Sequence, residues 1–326
     1  MGRKIERIAV LTSGGDAPGM NACIRAVVRT GIYHHIEMFG VMQGYQGLIQ
    51  DEIIPLNSKS VSNIVQRGGT ILKTARCMEF KTSEGRKTAY ENLQKHKIDG
   101  LIVIGGDGSF TGAEIFSREY DIPVMGVPGT IDNDLFGTDF TIGFDTANNT
   151  VIEAIDKIRD TAASHDRLFF VEVMGRDAGY IALWSAIGGG AEAVLIPEKE
   201  TSVDDLVDKL MIDLGNAKTS SIVVVAEGEH GGGAMAIAEK VKERFNYDTK
   251  VSILGHFQRG GSPTSFDRVL ASRLGQAAVE ALLKGYSRKM AGMISNKVAL
   301  TSIDLAIKNK TEMDESLIEL VNILAI

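Results

Sequence analysis

Two short apolar segments, each followed by a glycine-rich acidic turn, constrain the fold of this 326-residue chain more than any other feature. Residues 101–104 run directly into the turn Gly-Gly-Asp-Gly-Ser at 105–109, and residues 122–127 run into Pro-Gly-Thr-Ile-Asp-Asn-Asp at 128–134. Apolar segments of this length that end in such turns are typical of buried parallel strands. Because ligands of parallel sheets bind beyond the carboxyl ends of the strands, both turns are expected to face one crevice.

The two turns carry three carboxylates, Asp107, Asp132 and Asp134, beside several glycine amides. Backbone amides in such turns bind phosphate oxygens, and carboxylates hold magnesium or accept a hydroxyl proton. This combination predicts a phosphoryl-transfer enzyme. From the residues alone an alternative stays open, in which Asp132 and Asp134 shape a turn and Asp107 caps a helix that begins near Ser109.

Strand-like apolar segments alternate with helical patterns along most of the chain. The predicted strands are residues 8–11, 98–104, 122–127, 168–173, 193–196, 222–226 and 251–254. The predicted helices are residues 22–32, 86–97, 146–162, 203–214, 234–245 and 265–283. Such alternation predicts right-handed βαβ units on parallel sheets, so the fold class is α/β. A chain of this length, with 36 glycines and 44% hydrophobic residues, favours two packed lobes.

Composition argues against several classes of function. The net charge of −7 does not favour a surface for nucleic acid or for anionic membranes. Cys23 and Cys77 form neither a Cys-x-x-Cys motif nor a disulfide framework, which fits a reducing cytosol. The first residues do not resemble a secretory signal, and no apolar stretch approaches the roughly 20 residues of a spanning helix. We therefore expect a cytoplasmic protein with small-molecule substrates and neither nucleic acid nor membrane as a partner.

Four further motifs surround the acidic turns. They are Leu-Thr-Ser-Gly-Gly-Asp-Ala-Pro-Gly-Met-Asn at 11–21, Arg-Gly-Gly-Thr at 67–70, Glu-Val-Met-Gly-Arg at 172–176 and Leu-Gly-His-Phe-Gln-Arg-Gly-Gly-Ser-Pro at 254–263. With these motifs in this order, the chain resembles bacterial-type ATP-dependent 6-phosphofructokinase from about residue 5 to about residue 300. NAD kinases and lipid kinases share the first acidic turn, whereas the second turn is specific to the phosphofructokinases.

The resemblance implies a fold, an assembly and a reaction. The fold would be two Rossmann-like three-layer α/β/α lobes with mostly parallel sheets. An ATP lobe would span about 1–142 and 256–305, and a fructose 6-phosphate lobe about 143–255 and 306–326. The assembly would be a homotetramer with shared active sites. The reaction would be transfer of the γ-phosphoryl group of Mg-ATP to the 1-hydroxyl of fructose 6-phosphate, the committed step of glycolysis.

The resemblance also implies a nucleotide site around the first acidic turn. The implied ATP contacts are Gly15, Arg76, Cys77, Gly106, Asp107, Gly108 and Ser109. Asp107 would hold Mg²⁺ through water, and Gly15 and Arg76 would contact the transferring phosphoryl group. Pyrophosphate-dependent relatives typically carry Asp and Lys where this chain has Gly108 and Gly129, so ATP is the expected donor. From the residues alone, a simple turn at Gly15 and a solvated surface charge at Arg76 stay open.

A second implied set of residues binds the sugar phosphate. Its members are Thr130, Asp132, Arg167, Met174, Gly175, Arg176, Glu227, Lys250, His256 and Arg259. Arg167 and Lys250 would come from a neighbouring subunit and would contact the 6-phosphate together with His256 and Arg259. Many relatives have arginine at position 250, and lysine lacks its planar fork, so a looser phosphate contact is expected. A structural imidazole is the alternative for His256.

The implied catalytic group is centred on Asp132, which would act as the general base toward the attacking hydroxyl. Arg176 would lie near the reacting phosphoryl group, and Gly15, Arg76 and Thr130 would complete the group.

A regulatory site for ADP and phosphoenolpyruvate is implied as well. Its residues would be Arg25, Arg29, Arg159, Glu192 and Lys218. Arg25 and Arg29 are four residues apart on one helix face, and a solvated helix face is the alternative. Ser58 and Asn216 stand where relatives often have basic residues, so we expect weak regulation.

Three rival functions remain. The first is the same reaction with pyrophosphate as donor, which Gly108 and Gly129 disfavour. The second is a catalytically silent sugar-phosphate sensor, which leaves Asp107 and Asp132 without a role. The third is an NAD or lipid kinase, which does not explain residues 130–134.

Overall fold

The computed structural model describes residues 4–162, 167–215, 221–244 and 248–325, and the chain forms two compact units. The first unit contains Met1–Ile131, Leu135–Asp145 and Arg259–Thr311. The second unit contains Asp132–Asp134, Thr146–Gln258 and Glu312–Ile326. Asp132–Asp134 therefore belongs to the second unit, whereas the resemblance placed this triplet in the ATP lobe.

The described secondary structure consists of strands, α-helices and two short 3₁₀ helices. The strands are β1 (Arg7–Thr12), β2 (Glu37–Val41), β3 (Ile53–Leu56), β4 (Gly100–Gly105), β5 (Val124–Pro128), β6 (Leu168–Val173), β7 (Ala193–Leu195), β8 (Ser221–Ala226), β9 (Thr249–Ile253), β10 (Lys289–Ile294) and β11 (Lys297–Ser302). The α-helices are α1 (Met20–Tyr33), α2 (Tyr45–Ile49), α3 (Ser83–Lys95), α4 (Asp107–Tyr120), α5 (Phe144–Ala162), α6 (Tyr180–Gly189), α7 (Val203–Gly215), α8 (Gly233–Arg244), α9 (Ser265–Leu283), α10 (Ile303–Lys308) and α11 (Glu315–Leu324). The 3₁₀ helices are Glu79–Lys81 and Gly255–Arg259.

The first unit is built on a seven-stranded sheet in the order β11-β10-β5-β4-β1-β2-β3. The central strands pair in parallel, while β3 and β11 pair antiparallel with their neighbours at the two edges. Every residue of β4 is buried, as expected for an apolar strand covered on both faces. Parallel pairing brings the carboxyl ends of β1, β4 and β5 to one edge, where the loops after these strands begin.

The second unit contains a four-stranded, fully parallel sheet in the order β7-β8-β6-β9. Strand β6 lies between β8 and β9, so the loop after β6 is flanked by the loops after both neighbours. Together the two sheets confirm the predicted α/β fold with mostly parallel strands. None of the described helices is both long and apolar enough to span a membrane.

Several predicted boundaries differ from the structure for local reasons. The predicted strand 98–104 begins at Gly100, and the amide of Ile98 instead donates to the Leu93 carbonyl in the preceding helix. The helix predicted at 86–97 begins at Ser83, where the Thr82 hydroxyl accepts the amide of Gly85 as an N-terminal cap. Strands β2, β3, β10 and β11 and helices α2, α6, α10 and α11 were not predicted.

Candidate active site

The loop after β1 carries Gly15, whose lack of a side chain makes room for an arginine. A Cβ atom at Gly15 would lie 2.4 Å from Nη1 of Arg259, which is nearly buried and donates a hydrogen bond to the Asp16 carbonyl at 3.2 Å. Gly14, rather than Gly15, has the left-handed backbone, with φ of 87°. The guanidinium of Arg259 lies against this loop within the first unit, and a side chain at position 15 would have to displace it.

The loop after β4 leads directly into α4. Gly106 occupies the cap position and Asp107 is the first helical residue, so the reading of Asp107 as a cap is wrong. Asp107 and Gly108 are exposed, and no atom lies within 4 Å of a Cβ built on Gly108. Helix amino termini carry free amides and partial positive charge, which attract phosphate oxygens. The turn therefore offers one carboxylate beside an open anion-binding surface.

Tyr45, on α2, connects this turn to the segment that carries Arg76. Its hydroxyl donates a hydrogen bond to the Ser109 carbonyl at 2.5 Å, and its ring stacks on Phe80 with 4.0 Å between the centroids. A Cβ at Gly112 would lie 3.2 Å from the Tyr45 ring, so the glycine lets both rings pack on α4. Burial raises the pKa of the Tyr45 hydroxyl, which keeps it a donor.

Arg86, at the start of α3, holds the same segment from the other side. Its guanidinium donates to the carbonyls of Phe80 and Lys81 at 3.1 and 2.7 Å, and makes two bonds to the Glu119 carboxylate at 2.5 and 2.7 Å. The hydrogen bonds from Arg86 lower the pKa of Glu119. The turn that follows Arg76 and Cys77 is thus fixed by a largely buried ion pair.

A chain of hydroxyl groups fixes the beginning of the segment. The buried Thr12 hydroxyl lies 2.9 Å from the Thr70 hydroxyl and 2.9 Å from the Lys73 carbonyl, while the Leu72 amide lies 3.3 Å from the Thr70 hydroxyl. Because the Lys73 carbonyl can only accept, the Thr12 hydroxyl must donate its hydrogen to that carbonyl. The Thr70 hydroxyl must then donate to Thr12. The bonds therefore run in one direction, from Leu72 through both threonines to Lys73. The Thr74 hydroxyl then donates to the Gly14 carbonyl.

The second acidic turn is buried. Thr130, Asp132 and Asn133 are 7, 5 and 7% exposed, and Asn133 has a left-handed backbone with φ of 54°. The Thr141 hydroxyl donates to the Thr130 carbonyl at 2.6 Å. A carboxylate at this depth meets little bulk water, which suits a group that accepts one proton from a bound substrate.

In the second unit, the loop after β6 has three successive amides that donate to side chains. Gln258 Oε1 accepts from Met174 at 3.2 Å, and Glu227 Oε1 accepts from Gly175 at 3.3 Å and Arg176 at 2.9 Å. His256, in the turn that follows β9, is exposed.

Asp248 joins two of the predicted phosphate-binding residues. Its carboxylate lies 2.8 Å from Nε of Arg167 and 2.7 Å from Nζ of Lys250, at the start of β6 and β9. The hydrogen bond from Lys250, followed by that from Arg167, lowers the pKa of Asp248. The two cations are thus brought together within one chain and share one counter-ion.

The predicted regulatory residues fall in both units. In the second, Arg159 donates to the carbonyls of Gly189 and Gly190 at the end of α6 and lies 3.8 Å from the buried Glu192. Arg25 is half-buried and Arg29 exposed on α1, in the first unit. Lys218 and Asn216 lie outside the described residues.

Sequence reasoning assigned no role to Thr12, Tyr45, Arg86, Gln258 or Asp248. Thr12 and Gln258 lie within the recognised motifs, so their positions were visible, although their partners were not. Tyr45 and Arg86 each bond to a neighbour distant in sequence, Ser109 and Glu119, and no local pattern marks these pairs.

Comparisons with known proteins point to one family. A family model described as Phosphofructokinase matches residues 7–282. A protein of Bacteroides thetaiotaomicron named ATP-dependent 6-phosphofructokinase 2 is 55% identical over 323 residues, which cover 99% of each chain. A protein of Cytophaga hutchinsonii named ATP-dependent 6-phosphofructokinase is 55% identical over 317 residues, 97% of each chain. Among solved structures, phosphofructokinase from Saccharomyces cerevisiae superposes with a TM-score of 0.89 at 37% identity, over 94% of this chain and 45% of the yeast chain.

Proposed function

This chain belongs to the phosphofructokinase family, and we propose that its first unit binds ATP while its second unit supplies most contacts to fructose 6-phosphate. It catalyses the ATP-dependent 6-phosphofructokinase reaction. The γ-phosphoryl group of ATP passes to the 1-hydroxyl of fructose 6-phosphate, and the products are fructose 1,6-bisphosphate and ADP.

Two glycines support ATP rather than pyrophosphate as the donor. The open space above Gly108 leaves room for the phosphates of a nucleotide, and an aspartate there would repel them. At Gly129 a Cβ would already lie 2.9 Å from the Ile104 side chain and 3.2 Å from that of Met20, so a lysine requires these side chains to shift. The open surface at Gly108 is the single observation that carries the choice of donor.

Magnesium fits the first acidic turn. One exposed carboxylate, Asp107, stands beside the free amides of α4, and Mg²⁺ is commonly held by one or two carboxylates together with substrate phosphates and water. When bound with ATP, the ion would neutralise negative charge on the phosphates. Gly15 and Arg76 would contact the transferring phosphoryl group, with Cys77, Gly106 and Ser109 as further nucleotide contacts.

Asp132 would act as the general base. As the 1-hydroxyl oxygen attacks the γ-phosphorus, its proton passes to the Asp132 carboxylate and the bond from the γ-phosphorus to the ADP oxygen breaks. Thr130 would help to hold the hydroxyl, and Arg176 would balance the charge that develops on the phosphoryl oxygens.

The sugar phosphate would contact the loop 174–176, Glu227, His256 and Arg259. One carboxylate oxygen of Glu227 accepts hydrogen bonds from the amides of Gly175 and Arg176. Its second oxygen would face the sugar hydroxyls. The ion pairs of Asp248 hold Arg167 and Lys250 side by side, and a phosphate would replace Asp248 as their counter-ion.

We further propose a homotetramer in which Arg167 and Lys250 complete the site of a neighbouring subunit. Arg167→Ser should then bind fructose 6-phosphate poorly, and Asp132→Ser should be nearly inactive. Co-refolding the two variants should restore about a quarter of the sites if the chains mix at random. No recovery despite confirmed subunit exchange would show that Arg167 acts within its own chain.

Two finer assignments complete the proposal. ADP and phosphoenolpyruvate would act through Arg25 and Arg29 with Arg159, Glu192 and Lys218, and replacing Arg25 and Arg29 by alanine should abolish the response. The enzyme would work in the cytoplasm, which is supported by a glycolytic substrate and by cysteines without a disulfide. Fractionation of the source cells would test this location.

The function itself is tested by a coupled assay of fructose 6-phosphate with ATP or pyrophosphate, with and without magnesium. We expect turnover with ATP and magnesium only. Turnover with pyrophosphate alone would overturn the donor assignment, and turnover with a chelator present would overturn the metal assignment. Binding of fructose 6-phosphate without turnover would favour a sensor.

A further inference from the structure

The loop after β6 has a backbone that cannot satisfy its own amides. Gly175 has φ of 147° and Arg176 has φ of 53°, so the chain is neither strand nor helix at these residues. A left-handed arginine is strained and persists only where its surroundings impose it. Here the surroundings are two side chains, because Glu227 binds the amides of Gly175 and Arg176 while Gln258 binds that of Met174.

Gln258 uses both ends of its side-chain amide. It is fully buried, accepts the Met174 amide at Oε1 and donates from Nε2 to the Gly255 carbonyl at 3.0 Å. The opposite orientation would set its NH₂ against the N–H of Met174 and its oxygen against the Gly255 carbonyl, so the neighbours dictate one orientation. A carboxylate could serve only Met174, and a thioether serves neither partner.

The two partners of Gln258 belong to the two loops that carry predicted sugar-phosphate contacts. One loop bears Met174 and Arg176, and the other bears His256, one residue after Gly255. Because these loops follow adjacent strands, β6 and β9, one buried amide between them fixes their spacing. Being buried, Gln258 acts through these backbone groups rather than on the substrate.

We propose that Gln258 is a positioning residue that sets the geometry of the fructose 6-phosphate loops, an inference that rests on the proposed function of those loops. Displacement of binding groups by about 1 Å commonly changes rates by up to about 100-fold. Loss of the Gln258 side-chain amide should therefore weaken the binding of fructose 6-phosphate selectively. Binding of ATP, assigned to the first unit, should be unaffected.

The test compares Gln258→Met with Gln258→Glu. Gln258→Met should raise the KM for fructose 6-phosphate about 10- to 100-fold while the KM for ATP changes less than about twofold. Gln258→Glu keeps the acceptor and regains a donor when its carboxyl is protonated. Its KM for fructose 6-phosphate, divided by that of the wild type at the same pH, should therefore fall toward one as the pH decreases.

Ser185→Ala is the matched control. Ser185 is fully buried in α6 of the same unit and donates to the Ile181 carbonyl, so its loss removes a buried hydrogen bond away from the loops. This variant should unfold at a lower temperature with both KM values unchanged. Amide hydrogen exchange at 174–176 should be faster in Gln258→Met than in Ser185→Ala.

The outcomes separate the inference from the function on which it rests. If the wild type does not phosphorylate fructose 6-phosphate, the proposed function fails and the positioning role fails with it. If the wild type is active but Gln258→Met raises both KM values equally or neither, the positioning role alone is overturned. If Gln258→Met does not fold, the pH profile of Gln258→Glu decides, and a KM ratio independent of pH contradicts the proposal.

Discussion

The chain of hydroxyl groups at the end of β1 leads to a quantitative prediction for Thr12→Val. Valine has the shape of threonine but no hydroxyl, so the Thr70 proton loses its acceptor and the Lys73 carbonyl loses its donor. At about 1 kcal/mol net for each hydrogen bond, the free energy of unfolding should fall by about 2 kcal/mol. Thr70→Val should lower the free energy of unfolding by a similar amount, because it removes the hydrogen bond to Thr12 and the hydrogen bond from the Leu72 amide.

The two substitutions share one bond, and this determines how their effects combine. The double variant loses three bonds rather than four, so it should be destabilised by about 3 kcal/mol instead of the additive value of about 4. The coupling energy should therefore be about 1 kcal/mol. Urea unfolding of the four proteins, at one protein concentration, measures it. A coupling energy within about 0.3 kcal/mol of zero would show that the two hydroxyls do not bond in solution.

The same variants connect stability to activity. Lys73 lies three residues before Arg76, and loss of the hydrogen bond to its carbonyl should make the position of Arg76 less well defined. The KM for ATP should therefore rise more than that for fructose 6-phosphate. Thr12→Ser is the control, since it keeps the hydroxyl and loses only a buried methyl group. A serine variant with the same KM for ATP as the valine variant would refute the role of the hydroxyl.

Three further outcomes are expected. Asp132→Asn should lower turnover by about 10²- to 10⁴-fold with substrate binding retained, and a variant within tenfold of the wild type would exclude Asp132 as the base. Gly108→Asp should raise the KM for ATP far more than Gly108→Ala, because space is available for a Cβ but a carboxylate repels phosphate; equal KM values would contradict the donor assignment. Hydrogen bonding to Arg86 lowers the pKa of Glu119 from its ordinary value of 4.5. The ion pair therefore stabilises the folded protein fully above pH 4.5, and this stabilisation is lost as the pH falls through the lowered pKa. The stability difference between wild type and Glu119→Gln, measured by urea unfolding, should therefore shrink in acid, and a difference independent of pH would contradict the ion pair.

Several parallel strands were predictable because burial on both faces leaves continuous apolar runs. Leu168–Val173 was predicted with its observed bounds for this reason. Lys297–Ser302, at one edge of the seven-stranded sheet, lacks this signal, because none of its residues is fully buried. A different signal was present there. Ser295 and Asn296, both with positive φ, form the two-residue turn between β10 and β11, and such turns are typical of hairpins.

The candidate site shows a similar division. The loops were predictable, because glycine-rich turns after apolar strands mark the ligand-binding edge of a parallel sheet. The bonds that hold these loops were not, since Met174 meets Gln258 across 84 residues and Thr12 meets Thr70 across 58. Such pairs depend on the tertiary fold, and neither residue type nor sequence spacing predicts them. The contact at Gly15 was likewise not predictable, because the guanidinium beside it belongs to Arg259, 244 residues later in the chain.

The order of segments in the first unit has a consequence for synthesis on the ribosome. Helix α1 packs against α9, where Gly275 lies close to Ala26 and to the carbonyl of Cys23, yet α9 begins only at Ser265. At translation rates of about 5–20 residues per second, the partner of α1 is completed roughly 10–50 s after α1 itself. Ribosome-bound chains that end before Ser265 should therefore be cleaved within α1 by a protease, while chains long enough for all of α9 to have left the ribosome resist. Helix α1 is synthesised early but gains its packing partner late. The nascent chain therefore carries the apolar face of α1 that packs on α9 uncovered for most of its synthesis.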